Sequence, residues 1–253
     1  MIDKKAQSPT DFTLKFILFC LISALLTLLL AVSVDRFTRD EDAYTESASE
    51  TDSIPVTVVV DAGHGGEDGG ALSIISGLYE KDVNLEISLL LADMLRANGI
   101  NVVLTRTEDV LLYDRDADYK GRKKALDLAA RLKIAQNTED SVFVSIHMNS
   151  FPQEKYSGLQ VYYSKSDPNS KAIADLIQSN ARAYLQPQNT RKTKGATSAI
   201  FLLDRLHTPA VLVECGFLSN YEESKLLSTH EYRKKLAFVI FTSLCDYLSN
   251  NYS

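Results

Sequence analysis

Apolar positions fall into runs of two kinds along this chain. The first is a single unbroken run. Phe16 to Val34 is 19 residues without a charge, mainly Leu, Ile, Val and Ala, and has no polar face. Such a run is long enough to cross a hydrocarbon core of about 30 Å. Lys4, Lys5 and Lys15 precede it, which places residues 1–15 in the cytoplasm and the remainder outside by the positive-inside rule. Ala31-Val32-Ser33 has the small-x-small form of a cleavage site, but the run exceeds the ~7–15 apolar residues of a signal peptide. An uncleaved transmembrane helix over 16–34 is therefore favoured. Residues 35–53 are rich in acid, Ser and Thr and read as an extended, self-repelling stalk that buries too little to fold.

From residue 54 the pattern changes to short β-branched runs alternating with 3.6-residue periodicity. Val58-Val59-Val60 has no polar alternation, as suits a strand buried on both faces. Asp82 to Ala97 presents a broad apolar face and is closed by Asn98-Gly99, a helix with its C-terminal stop. Ile100 to Leu104 is a second strand, so the three make a right-handed βαβ unit. A helix is expected over Lys120 to Gln136 and a buried strand over Val142 to Ile146. Leu159 to Tyr163 alternates like an edge strand. Helices are expected over Asn169 to Leu185, Tyr221 to Leu227 and Glu231 to Leu248, and strands over Ile200 to Leu203 and Ala210 to Val213. Gln186 to Ser198 is too long to be only a connector. The sum is one α/β domain over 54–253, a mainly parallel but mixed sheet with helices on both faces, preceded by the N-terminal transmembrane helix.

Charge sharpens this division. Of the formal net charge of −6, seven acidic residues and two arginines in 35–53 carry −5 and residues 1–34 carry +1, which leaves −2 for 54–253. The domain is near neutral, and nothing in it supplies the basic face that nucleic-acid binding requires. Cys215 and Cys245 lie in apolar contexts and are expected as free thiols rather than a disulfide.

Candidate chemistry begins at Asp61-Ala62-Gly63-His64-Gly65-Gly66-Glu67-Asp68-Gly69-Gly70. A phosphate cradle fails here: no Lys-Ser/Thr follows the glycines, and the acids would repel phosphate. A cation suits the loop better. His64, His147 and Glu214 each follow an all-apolar strand, and such strand ends share one edge of an open α/β sheet. Glu80, before the first long helix, is near the same edge. Two histidines and a carboxylate fit a zinc site with a fourth position open to water. His64, Glu80 and His147 are then the metal ligands, and Glu214 the base that moves the water's proton to a leaving nitrogen. Bland readings stand beside each. A histidine after a strand is often structural, Glu80 can serve the helix dipole, and Glu67 and Asp68 read as solvated. His207 reads as a turn residue and His230 as a helix-start residue.

Four ordered motifs carry a resemblance. Asp61-Ala62-Gly63-His64-Gly65-Gly66, Glu80-Lys81-Asp82-Val83-Asn84-Leu85, Ser145-Ile146-His147-Met148-Asn149 and Pro209 to Asn220 resemble those of the zinc-dependent N-acetylmuramoyl-L-alanine amidases, the Amidase_3 family, from about Val56 onward. The resemblance implies His64, Glu80 and His147 as zinc ligands and Glu214 as the catalytic residue. It implies cleavage of the amide between N-acetylmuramic acid and the L-alanine of the stem peptide in peptidoglycan. A lone catalytic domain on a membrane anchor is similar to the spore-cortex, germination-specific type, which helps form muramic δ-lactam. That places the domain on the extracytoplasmic side, in the cell wall or forespore intermembrane space, with an activator protein as an expected partner.

Departures are Ala135-Gln136 where the family often has Ala-Asn, and Met148 where it often has Ala. Met148 is expected to reshape the pocket wall. Only 67 positions separate His147 from Glu214, too few for the inhibitory helix of related division amidases. Arg191-Lys192-Thr193-Lys194 is either a holder of stem-peptide carboxylates or a solvated loop. A zinc carboxypeptidase or peptide amidase, and an inactive anchored muropeptide-binding protein, remain the alternatives.

Overall fold

The structure is a computed structural model. It describes residues 56–114, 116 and 120–252, together with 18, 22, 23, 25–29 and 31. The nine described positions within 16–34 are helical, and their leucines and Ile22 are exposed. Among the described residues no helix is long and apolar enough to cross a membrane. The rest of the expected anchor, the stalk and residues 1–15 lie outside the described residues.

Six strands form one mixed sheet in the order β2-β1-β3-β6-β4-β5. β1 (Thr57–Ala62) pairs in parallel with β2 (Asn101–Leu104) and β3 (Ser141–Asn149), and β3 with β6 (Ala210–Phe217). β4 (Gln160–Tyr163) runs antiparallel to β6 and parallel to the two-residue β5 (Lys194–Gly195). From β1 the chain passes outward through α1 (Glu80–Ala97) to β2, then back across β1 through α2 (Lys123–Gln136) to β3. This reversal between β1 and β3 is a topological switch point, where open α/β sheets place their ligands.

Strand alternation assigns the faces. Val58, Val60, Val144, Ile146, Val161 and Val213 join the larger core, with Val83, Ile87, Leu91 and Leu95 of α1 at the four-residue spacing of one helix stripe. α3 (Asn169–Tyr184) and α6 (His230–Tyr252) pack on that same core. Val59, Phe143 and Ala210 face the other way, into a smaller core with Ala135 of α2 and Leu202 and Leu203 of α4 (Phe201–Arg205). A period of two then puts Asp61, Ser145, His147, Glu214 and Gln160 on this second face.

Five expectations change. Ile200 to Leu203 is not a strand: Phe201–Arg205 is a helical turn and a half covering the smaller core, because a short apolar run satisfies either period. The helix expected from Lys120 begins at Lys123, as Lys120 and Gly121 have positive φ. β4 is not the edge, because β5 pairs along its outer side. β3 and β6 run on through His147 and Glu214 rather than ending before them. Met148 points into the larger core, so it shapes that core and not the pocket. Cys215 and Cys245 are free. α5 (Tyr221–Leu227), capped by the Asn220 side chain accepting from Glu223 N at 3.0 Å, matches its expected span.

Candidate metal centre

His64, Glu80 and His147 converge, with one donor atom from each within 4.8 Å of the others. Glu80 is the hub. Its Oε1 lies 3.2 Å from His64 Nε2 and 3.0 Å from His147 Nδ1. The carboxylate is buried because it opens α1 against the loop, where Oε1 accepts from Met148 N at 3.0 Å and Oε2 from Ala71 N at 2.9 Å. The two imidazoles meet edge to face, with centroids 5.0 Å apart. Two imidazole nitrogens and one carboxylate oxygen are the donor set of a catalytic zinc site with an open position.

The glycines make that approach feasible. A Cβ on Gly63 would stand 2.3 Å from His147 Nε2, and one on Gly70 would stand 2.6 Å from Glu80 Oε2 with φ at +65°. His64 itself has φ of +60°, a left-handed conformation that costs a histidine energy and recurs at functional sites.

Glu214 is the register partner of His147 on β6. Its Oε2 is shut from solvent and has no hydrogen-bond partner among the described residues. A buried carboxylate oxygen left unpaired beside a cluster of donor atoms is costly unless something occupies the space it faces.

Residues 58–246 match the family of N-acetylmuramoyl-L-alanine amidases, Amidase_3. The chain belongs to that family. It is 36% identical over 200 residues to the germination-specific N-acetylmuramoyl-L-alanine amidase of Bacillus subtilis, covering 78% of this chain and 83% of that protein. Its fold is similar to the CwlD amidase of Clostridioides difficile, solved in complex with the GerS lipoprotein, with a TM-score of 0.74 and 40% identity over 77% of this chain and 99% of that one. It is also similar to the amidase AmiC2 of Nostoc punctiforme, with a TM-score of 0.65 and 31% identity over 77% and 97% of the two chains.

The electrostatics of this amidase separate its two glutamates. Burial would raise the Glu80 pKa, but hydrogen bonding and attraction from His147 and His64 outweigh it and hold the carboxyl below its usual range. Burial would lower that of His147, and Glu80 overcomes this and raises it. Glu214 has no such donor, so burial dominates and pushes it up to about 7. Two carboxyls in one cleft are thus driven apart, a separation that suits one to holding a cation and the other to exchanging protons near neutrality.

Several residues under the site escaped the sequence reading. Arg131 Nη1 donates to Asp61 Oδ1 and Ala62 O, both at 2.7 Å, Nη2 to His64 O at 2.7 Å, and Nε to Asp127 Oδ2 at 2.7 Å. Arg106 donates to Ala62 O at 2.8 Å and Gly63 O at 3.0 Å. Three successive carbonyls of the histidine loop therefore rest on two buried guanidinium groups. Asn84 Nδ2 adds a bond to Gly63 O at 3.1 Å. Asp68 is not merely solvated: its Oδ1 lies 3.0 Å from His64 Nδ1, close but not aligned as a hydrogen bond. Glu67 is exposed and pairs with Lys123 at 2.9 Å. His230 opens α6, with Nδ1 2.7 Å from Glu86.

Proposed function

We propose that this chain hydrolyses the amide between N-acetylmuramic acid and L-alanine in peptidoglycan, with zinc held by His64, Glu80 and His147. The observation that carries the reading is Glu214, a half-buried glutamate paired in register with His147 and carrying a buried, unpaired oxygen. Zinc bound there supplies Lewis acidity and a water activated near neutral pH. The chain's own groups do the rest. Glu80 keeps its negative charge and, through hydrogen bonds from Met148 N and Ala71 N, a fixed orientation. The Glu214 carboxylate would take a proton from the attacking water and return it to the leaving nitrogen. A pKa near 7 suits both transfers, since neither state is strongly favoured. Arg131 and Arg106 hold the His64 loop in place while the neighbouring carboxyl changes charge.

Support for the setting comes from the relatives and from the N-terminal sequence. The 19-residue apolar run at 16–34 with its preceding lysines suits an anchor that holds residues 54–253 on the extracytoplasmic side through an acidic stalk. The germination-specific name of the B. subtilis relative suits a role in spore-cortex maturation. The complex of C. difficile CwlD with GerS suits an accessory protein here as well.

His64→Ala and His147→Ala should each lose both zinc and activity in the purified full chain. Retention of full activity in either would contradict the ligand assignment. A deletion strain should lack cortex muramic δ-lactam, and normal lactam content would contradict the cortex role. Fractionation should leave the whole protein in membranes until detergent is added.

A further inference from the structure

A cleft of about 290 Å³ lies beside Glu214 on the β4 side, lined by residues that include Gln160, Tyr162, Arg191, Lys194, Tyr156 and Phe217. Gln160 is the register partner of Glu214, so the cleft begins one strand away from the proposed proton-transfer group. Two cations stand in it. Arg191 lies with its guanidinium 4.5 Å from the centre of the Phe217 ring. Its Nε donates to Ser157 O at 2.6 Å and its Nη1 to Gln160 Oε1 at 3.0 Å. Among the described residues its Nη2 has no partner, and neither Arg191 nor Lys194 has a carboxylate within ion-pair distance.

The arrangement is stiff. Gln160 is buried and is itself held, its Nε2 donating to Lys192 O at 2.8 Å. The Arg191 backbone is clamped on both sides, N donating to Asn189 Oδ1 at 2.9 Å and O accepting from Arg182 Nη2 at 2.9 Å. Tyr162 lines the same cleft and lies within electrostatic reach of both Glu214 and Arg191. A guanidinium fixed by stacking and by two of its nitrogens, with one edge left over, is suited to carboxylate recognition.

We infer that Arg191, assisted by Lys194, binds a carboxylate of the peptide side of the substrate and makes this amidase selective for stem peptides that carry it. The inference rests on the proposed amide hydrolysis. Position and charge choose the peptide over the glycan. N-acetylated sugars are neutral once the lactyl carboxyl is in the amide, so only the peptide brings negative charge to two unpaired cations. From β3 to β4 is two strand spacings, about 10 Å, which an extended chain covers in about three residues. The carboxylate is therefore on the second or third residue beyond the scissile bond.

The test uses the zinc-loaded full chain and two pairs of soluble muramoyl peptides. Members of a pair differ only in a free carboxylate or a carboxamide at the second or the third residue. The wild type should favour the carboxylate form of one pair through KM, by about tenfold to a hundredfold for a charge-assisted contact. Arg191→Ala should erase that preference while leaving the amide form's KM in place, and Arg191→Lys should restore part of it. Calorimetric binding of the free carboxylate and amidated peptides should show the same discrimination without any cleavage. Equal KM values in the wild type, or an Arg191→Ala loss shared equally by both forms, would overturn the inference. Discrimination in binding with no muramoyl cleavage would instead uphold the carboxylate site and reject the amide-hydrolysis reading.

Discussion

His147 and Glu214 are partners in register on adjacent parallel strands, β3 and β6. Neighbouring strands lie about 4.8 Å apart and side chains in register share a face, so the histidine and the glutamate project side by side from rigid backbone. No loop sets their separation. The ladder does, and it leaves the Glu214 carboxyl in the low-dielectric wall of the cleft while Glu80 approaches from a helix.

Glu214→Gln should therefore keep its zinc and its thermal stability but lose turnover by about two to four orders of magnitude, the usual worth of a placed acid–base group. Steady-state kinetics with metal analysis on the same sample decides it. Glu214→Asp should also be impaired, because its shorter side chain cannot follow the proton to the same point. Unimpaired turnover in Glu214→Gln would remove Glu214 from the reaction.

Gly63→Ala should damage the metal centre without an unfavourable φ to blame. The added methyl would collide with the His147 ring at 2.3 Å, and a ring in a sheet has little room to retreat. The expected outcome is zinc affinity reduced by at least an order of magnitude with secondary structure intact by circular dichroism. An unchanged zinc affinity would show that His147 moves freely.

Arg131 anchors the His64 loop from beneath, so its role is read in stability. Arg131→Met leaves Asp61 and Asp127 without their cation, and breaking a buried pair costs about 3–5 kcal/mol. Acid dependence adds a signed check. Burial would raise the Asp61 pKa, yet the Arg131 charge and hydrogen bonds from Ser145 and Arg131 hold it below the usual value. A lowered folded pKa contributes stability above the unfolded value of about 4 and loses it as pH falls further. Urea midpoints should thus fall more steeply below pH 4 for the wild type than for Asp61→Asn. Parallel slopes would contradict the pairing.

Chelation should inactivate the enzyme without unfolding it. Glu80 is fixed by Met148 N at 3.0 Å and Ala71 N at 2.9 Å, and the His64 loop by Arg131 at 2.7 Å and Arg106 at 3.0 Å, so the protein itself positions these side chains. A ligand at a hundred times its Kd adds about 2.7 kcal/mol, so removing it should lower Tm by about 5–10 °C for a domain of this size, with cooperative melting retained. Unfolding on chelation would show that the site is not preorganised.

The parts of this site that were legible from sequence are those with local signatures. Valine runs marked β1, and a helical stripe ending in Asn98-Gly99 marked α1, so the approximate places of His64 and Glu80 followed from periodicity. His147 and Glu214 were placed at the right edge but beyond their strands, because polar residues at a functional end look like strand terminators. β5 was invisible, being two residues long. Arg131 could not be matched to Asp61 because the pair spans 70 positions and nothing local marks it. Asp68 was within reach: four residues after His64 in a glycine-rich loop, it invited the question of which group steadies the imidazole. Ile200 to Leu203 failed for the opposite reason, as four apolar residues do not define a period.

The most direct test of the central claim is mass spectrometry of the products released from purified peptidoglycan by the zinc-loaded full chain, with zinc counted in the same preparation. About one zinc per chain, free stem peptides beginning with L-alanine and an intact glycan are the expected result. Cleavage within the peptide, or a muramoyl amide left whole by a zinc-loaded chain given a candidate accessory protein, would contradict it.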